Sequence, residues 1–273
     1  MKKTVFVLMV ALLMGLPEWA PAQSKATRPS GTAAAPQKAV VSEMSVLHSV
    51  RIESASVLSE GELVLDARLA VELDRELSDR DYDNVRLTPI GMRYGVDPSL
   101  EVGGFLGFSA NDKDDRLAPD DSGLEGLTVF GKLTLNESAA LQVGLTFIGD
   151  DDVFPYPNDG LDLFVNLPLQ RKIGEGLLYG EFGYTVQGGD LDTNDYFNFG
   201  IGYAFPVSEE ASLNVELAGE EGQLGTSWNN TLDLLLGANF IVDERLRIAP
   251  FVTFGLYEAS PDFSLGSTLE MRF

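Results

Sequence analysis

The stretch Phe263-Ser264-Leu265-Gly266-Ser267-Thr268-Leu269-Glu270-Met271-Arg272-Phe273 decides the fold. Apolar or small side chains fall at every second position: Phe263, Leu265, Ser267, Leu269, Met271 and Phe273. Polar or tiny ones fill the gaps, and a period of two puts the two sets on opposite faces of a strand. The stretch closes on an aromatic residue. A water-soluble sheet gains little from an exposed terminal Phe, whereas a barrel spanning an outer membrane gains an interfacial anchor. Leu269, Met271 and Phe273 therefore read as an assembly signal for the outer-membrane barrel assembly machinery.

The opposite end carries an address. Lys2 and Lys3 precede an apolar run from Thr4 to Leu16, and Ala20-Pro21-Ala22 is a small-x-small cleavage site. Residues 1–22 are thus expected to be a signal peptide. Pro17 and Glu18 end the run short of the roughly 20 apolar residues a spanning helix needs. About 250 residues remain, without cysteine, and losing Lys2, Lys3 and Glu18 takes the net charge from −23 to −24. That excess argues against nucleic acid as a partner, because phosphates would repel it.

Residues 23–61 differ in character from the rest of the chain. Gln23 to Gln37 is rich in Ala, Pro, Ser and Thr, as a flexible leader is. Lys38 to Gly61 reads either way: Val46, Val50 and Ile52 fit a strand loosely, and a short helix fits as well; the segment either stays in the periplasm or enters the lumen as a plug. From residue 62 to 273, twelve segments alternate with period two. The first sets Leu63, Leu65, Ala67, Leu69, Val71 and Leu73 against Asp66, Arg68, Glu72 and Asp74. In the second, the parity of the apolar residues changes at Pro89, which predicts a bulge.

A β-sandwich would alternate in the same way, and two features separate the cases. Connections such as Val96–Ser99 and Asn136–Ser138 are short. They alternate with longer ones such as Arg75–Asp83, Ala110–Gly123 and Gly149–Gly160. Short periplasmic turns opposite long outer loops are the layout of an outer-membrane barrel. The apolar-face aromatics also fall in two belts, one holding Tyr94, Tyr203, Phe205, Phe240 and Phe273, the other Phe108, Phe147, Tyr184, Phe197, Phe254 and Phe263. In lipid, an open edge would leave unpaired backbone groups in hydrocarbon, so the first strand must close on the last.

The residues on the other face are the candidate lumen lining: Asp66, Arg68, Glu72, Arg93, Glu101, Lys132, Asp162, Glu181, Glu216, Asp233, Arg247, Glu270 and Arg272. Eight are acidic and five basic, which hints at cation tolerance, while Phe105, Phe130, Phe164, Tyr179 and Phe251 make the same face less polar than a general porin wants. An enzyme is not expected. The one histidine, His48, precedes the barrel, so no Ser–His or Cys–His pair can be built on the strands. Asp112, Asp114, Asp115, Asp120 and Asp121, and then Asp150, Asp151, Asp152 and Asp159, make the long loops acidic. Their spacing matches no calcium loop, so they read as a solvated surface facing lipopolysaccharide. Neither cofactor nor metal is expected.

Met92-Arg93-Tyr94-Gly95-Val96-Asp97-Pro98-Ser99-Leu100-Glu101-Val102-Gly103 pairs a strand ending in Arg-Tyr-Gly with a tight turn and an apolar-Glu-apolar-Gly strand. Together with Phe205–Leu213 and Pro261-Asp262-Phe263 it resembles the outer-membrane family called "MetA-pathway of phenol degradation" over about residues 61–273. The resemblance implies transport of aromatic or other small compounds and brings no catalytic residues with it.

The expectation is an all-β, transmembrane, antiparallel up-and-down barrel of about twelve strands in the bacterial cell outer membrane. Its partners would be membrane lipid, lipopolysaccharide, the assembly machinery and a small-molecule solute. Its expected role is a channel or transporter for small hydrophobic or aromatic solutes; the alternative is a structural or interaction barrel with a closed lumen and acidic outer loops.

Overall fold

In the computed structural model the described residues are 45–77, 80–113, 121–148, 160–188, 195–222, 230–257 and 259–273. The expected signal peptide, the leader to residue 44 and most of the acidic loop residues lie outside them. Twelve strands succeed one another: β1 Leu63–Leu77, β2 Arg80–Asp97, β3 Leu100–Lys113, β4 Asp121–Asn136, β5 Ala139–Ile148, β6 Leu161–Ile173, β7 Gly176–Val186, β8 Tyr196–Pro206, β9 Ala211–Gly222, β10 Thr231–Ile241, β11 Leu246–Gly255 and β12 Phe263–Arg272. Each pairs with its sequence neighbours, and β1 pairs with β12, so the sheet is a closed barrel. The closing register runs from Val64↔Arg272 to Leu73↔Phe263. Leu63 and Phe273 exchange backbone hydrogen bonds of 3.3 and 2.8 Å at the seam, so even the last residue joins the ladder.

The pleat sorts the side chains. Lys132 is 1% exposed and its neighbour Leu133 43%; Glu270 is 1% exposed and Leu269 40%. Charge faces inward and leucine outward, the inverse of a water-soluble protein, and this polarity is stable only when hydrocarbon surrounds the barrel. Tyr94, Phe205, Phe240 and Phe273 project outward near the short turns, and Phe108, Phe147, Phe197 and Phe254 near the opposite end.

Three irregularities matter for the lumen. At Thr88-Pro89 both ladders of β2 slip by one residue, the bulge predicted from the proline. A second bulge lies on β4 between Leu124 and Gly126, with Gly126 at φ 154°. The third is at Asp74, which adopts φ 51°. Beyond it the ladder continues through Arg75↔Tyr82 to Leu77↔Arg80. The connection expected over Arg75–Asp83 is therefore corrected: these polar residues extend a hairpin, leaving only 78–79 between strands. Past the apolar band no hydrocarbon enforces alternation, so their sequence does not look like strand.

Candidate functional site

The thirteen charged residues named from the sequence sit on the inner face in three groups. At the short-turn end, Arg93 donates to Asp66 at 2.7 Å and Glu270 at 3.0 Å and lies 3.7 Å from Glu101. Arg272 bridges Glu270 and Glu62, each at 3.0 Å, and Arg247 also donates to Glu270. Each buried carboxylate thus meets a cation, which offsets much of its desolvation cost. Toward the long-connection end, Glu72 lies beside Arg86 and Asn84, and Asp162 accepts the Gly188 amide at 3.1 Å. The remainder, Arg68, Lys132, Glu181, Glu216 and Asp233, contact residues that precede the barrel.

Residues 45–60 enter the barrel and turn back as an irregular loop, a hairpin in its path but without strand pairing of its own. Near the short turns Ser212 donates to the Val46 carbonyl at 2.7 Å. Farther in, Asn214 and Asn239 donate to the His48 carbonyl at 2.6 and 2.7 Å. At the apex, Glu216 accepts the amides of Val50, Arg51 and Ile52 at 2.6, 3.0 and 3.3 Å, together with the Tyr179 hydroxyl at 2.7 Å. Arg51 pairs with Asp233, and Arg68 donates to the Val50 carbonyl. The chain then returns. Glu53 pairs with Lys132 at 3.2 Å and gives its amide to Glu181 at 3.0 Å; Ser54 donates to Gln170, and the Leu58 amide reaches Glu101 at 2.9 Å. Gly61, at φ 81°, turns the chain into β1, and its amide donates to the Gly95 carbonyl at 2.8 Å. An extended segment has backbone groups to satisfy, and here the wall's side chains satisfy them.

The wall is also shaped for this hairpin. Ile52, 2% exposed, packs with Tyr179, Ala204 and Ala218, and Val50 with Ala70, Leu235, Ala249 and Phe251. A Cβ on Gly200 would lie 2.7 Å from Ile52 Cδ1, and one on Gly237 3.0 Å from Val50 Cγ2. Inward glycine and alanine on β8–β11 therefore leave two depressions that the apex side chains fill.

Beyond the apex, toward the long connections, lies a cavity of about 300 Å³. Arg51, Arg68, Arg86, Glu72, Glu220 and Asp233 supply its charges, and Phe105 and Phe251 its aromatic surface. His48 and Glu53, on the hairpin itself, have perturbed acidities. Burial, with Arg247 nearby, pushes the His48 imidazole down to about 3. Burial alone would raise the Glu53 carboxyl, but Lys132 and Arg93 outweigh it and hold it below the usual range.

Sequence reasoning missed several of these residues. Arg86 and Glu125 join through two hydrogen bonds of 2.8 and 2.9 Å, with Thr88 donating to the same carboxylate at 2.9 Å. Strict alternation would put Glu125 with Leu127 on the lipid face; the bulge on β4 turns it inward and turns Leu124 outward. The change of apolar parity from Leu124 to Leu127 was the available signal. Arg51 and Glu53 were missed because they precede the alternating pattern, and Glu62 because it stands at its first position, ahead of the first apolar residue.

A closed antiparallel barrel with an apolar belt and a charged interior is of the outer-membrane type. No family model matches the chain. Among solved structures it is similar to an outer-membrane channel from Pseudomonas putida F1, at 17% identity over 82% of this chain and 100% of that one, with a TM-score of 0.62. It is also similar to the translocator domain of the autotransporter NalP from Neisseria meningitidis, at 12% identity over 79% of this chain and 89% of that one, with a TM-score of 0.53. At such identities the likeness is one of fold.

Proposed function

We propose that the protein is a channel of the bacterial outer membrane for small solutes, obstructed by its own residues 45–60. The observation that carries this reading is how the lumen is obstructed: one hairpin, joined to the barrel at Gly61, lies across it. Most of its polar anchors are side chains of the wall, so it leaves without breaking a barrel ladder. The aromatic rings at the lumen cavity support hydrophobic or aromatic solutes as cargo, and the likeness to the Pseudomonas channel supports the channel class. Export with loss of residues 1–22, insertion through Leu269, Met271 and Phe273, and acidic loops facing lipopolysaccharide complete the proposal.

The density of hydrogen bonds at Glu216 favours a second reading, a permanently closed barrel with a structural or binding role. Planar-bilayer recordings of the full chain and of a variant lacking residues 45–60 decide between them. Heat-modifiable migration first establishes that both are folded. A channel gives potassium chloride steps that grow when the hairpin is removed. Silence from both folded proteins refutes the channel and leaves the closed barrel.

A further inference from the structure

We infer that the cavity beyond the hairpin apex binds a small organic monocarboxylate, its carboxylate on Arg68 and its flat apolar body against Phe105 and Phe251. The inference goes beyond the channel reading, since binding there does not require an open path. Three cations face this cavity of about 300 Å³. Arg51 is paired with Asp233, and Arg86 with Glu125 and Glu72. Arg68 differs: its Nε donates to Thr268 at 3.1 Å and one terminal nitrogen to the Val50 carbonyl, but among the described residues no carboxylate forms an ion pair with it. A half-buried guanidinium with no ion-pair partner of its own, in a cavity, is a site for an anion, and its planar fork suits a carboxylate.

The surroundings define the rest of the ligand. The Phe251 ring centroid lies 5.2 Å from the Arg68 guanidinium carbon, so a flat body beside the carboxylate would meet an aromatic face. Phe105 lines the same space. Asp233 Oδ1 is buried and accepts no hydrogen bond, so it would take a hydroxyl carried by the ligand. Glu72, Glu220 and Asp233 would repel a second carboxylate, which restricts the charge to one.

The test is calorimetric titration of the detergent-solubilised full chain with 4-hydroxybenzoate, its neutral amide 4-hydroxybenzamide and the dianion terephthalate. The hydroxy acid is expected to bind at least about tenfold tighter than either comparison compound. Arg68→Gln should abolish the preference and Arg68→Lys should keep part of it. Because Arg68 also holds the Val50 carbonyl, Phe251→Leu provides a second arm, weakening the acid several-fold without altering charge. Equal binding of acid and amide, an unchanged preference in Arg68→Gln, or no binding of the acid overturns the inference. Acid-selective binding by a barrel silent in potassium chloride upholds this site and refutes the channel; conductance without acid binding does the reverse.

Discussion

Replacing Glu216 with alanine should unlatch the hairpin. Its carboxylate accepts the amides of Val50, Arg51 and Ile52 at 2.6, 3.0 and 3.3 Å, and the Tyr179 hydroxyl at 2.7 Å. A hydrogen bond to a charged group contributes about 1.5–3 kcal/mol. Counting only the two shortest amide bonds, the seated hairpin loses roughly 3–6 kcal/mol, because the displaced segment regains its amide bonds from water. At about 1.4 kcal/mol per factor of ten, the balance moves toward the displaced state by on the order of 100-fold or more. The chain has no cysteine, and Ser49, 7% exposed beside the apex, accepts a nearly isosteric thiol. In a Ser49→Cys background, labelling by a membrane-impermeant maleimide should accelerate with Glu216→Ala, and single-channel conductance should rise in parallel. Glu216→Gln, which keeps an acceptor oxygen but not the charge, should fall between. A folded Glu216→Ala protein with unchanged labelling and conductance would show that this latch does not hold the hairpin.

Three further expectations rest on the same geometry. A Cβ on Gly95 would collide with the Ser59 carbonyl at the foot of the hairpin, so Gly95→Ala should strain the seat by about 1–3 kcal/mol and raise Ser49→Cys labelling. The seated imidazole of His48 titrates at about 3 against 6.5 when free, so seating is fully supported above pH 6.5 and weakens as pH falls toward 3. Conductance should rise from pH 7 to pH 4, and His48→Gln should flatten that rise; a profile the same with and without His48 would assign it elsewhere. Leu69, 53% exposed on the outer face, meets hydrocarbon, so Leu69→Arg should cost about 2–4 kcal/mol in urea-driven unfolding from lipid vesicles, whereas a water-exposed Leu69 would tolerate arginine.

The sequence by itself determined the barrel and the sidedness of its wall. Period-two alternation is a local property: each residue's parity relative to its neighbours decides lipid or lumen, so Lys132 and Leu133 could be assigned without any long-range contact. Closure came with it, because hydrocarbon tolerates no open edge. Only the tertiary structure decided what the interior does. Arg86 and Glu125 meet because bulges on β2 and β4, the two strands that flank β3, turn both inward, and a bulge breaks the very periodicity by which faces are read. Glu216 latches amides some 160 residues away in sequence, and Val50 and Ile52 settle over glycines on β8 and β10. Nothing in residues 45–60 announces these contacts. The segment alternates only loosely, at Val46, Val50 and Ile52, and its conformation comes from a surface that exists only once twelve strands have closed around it.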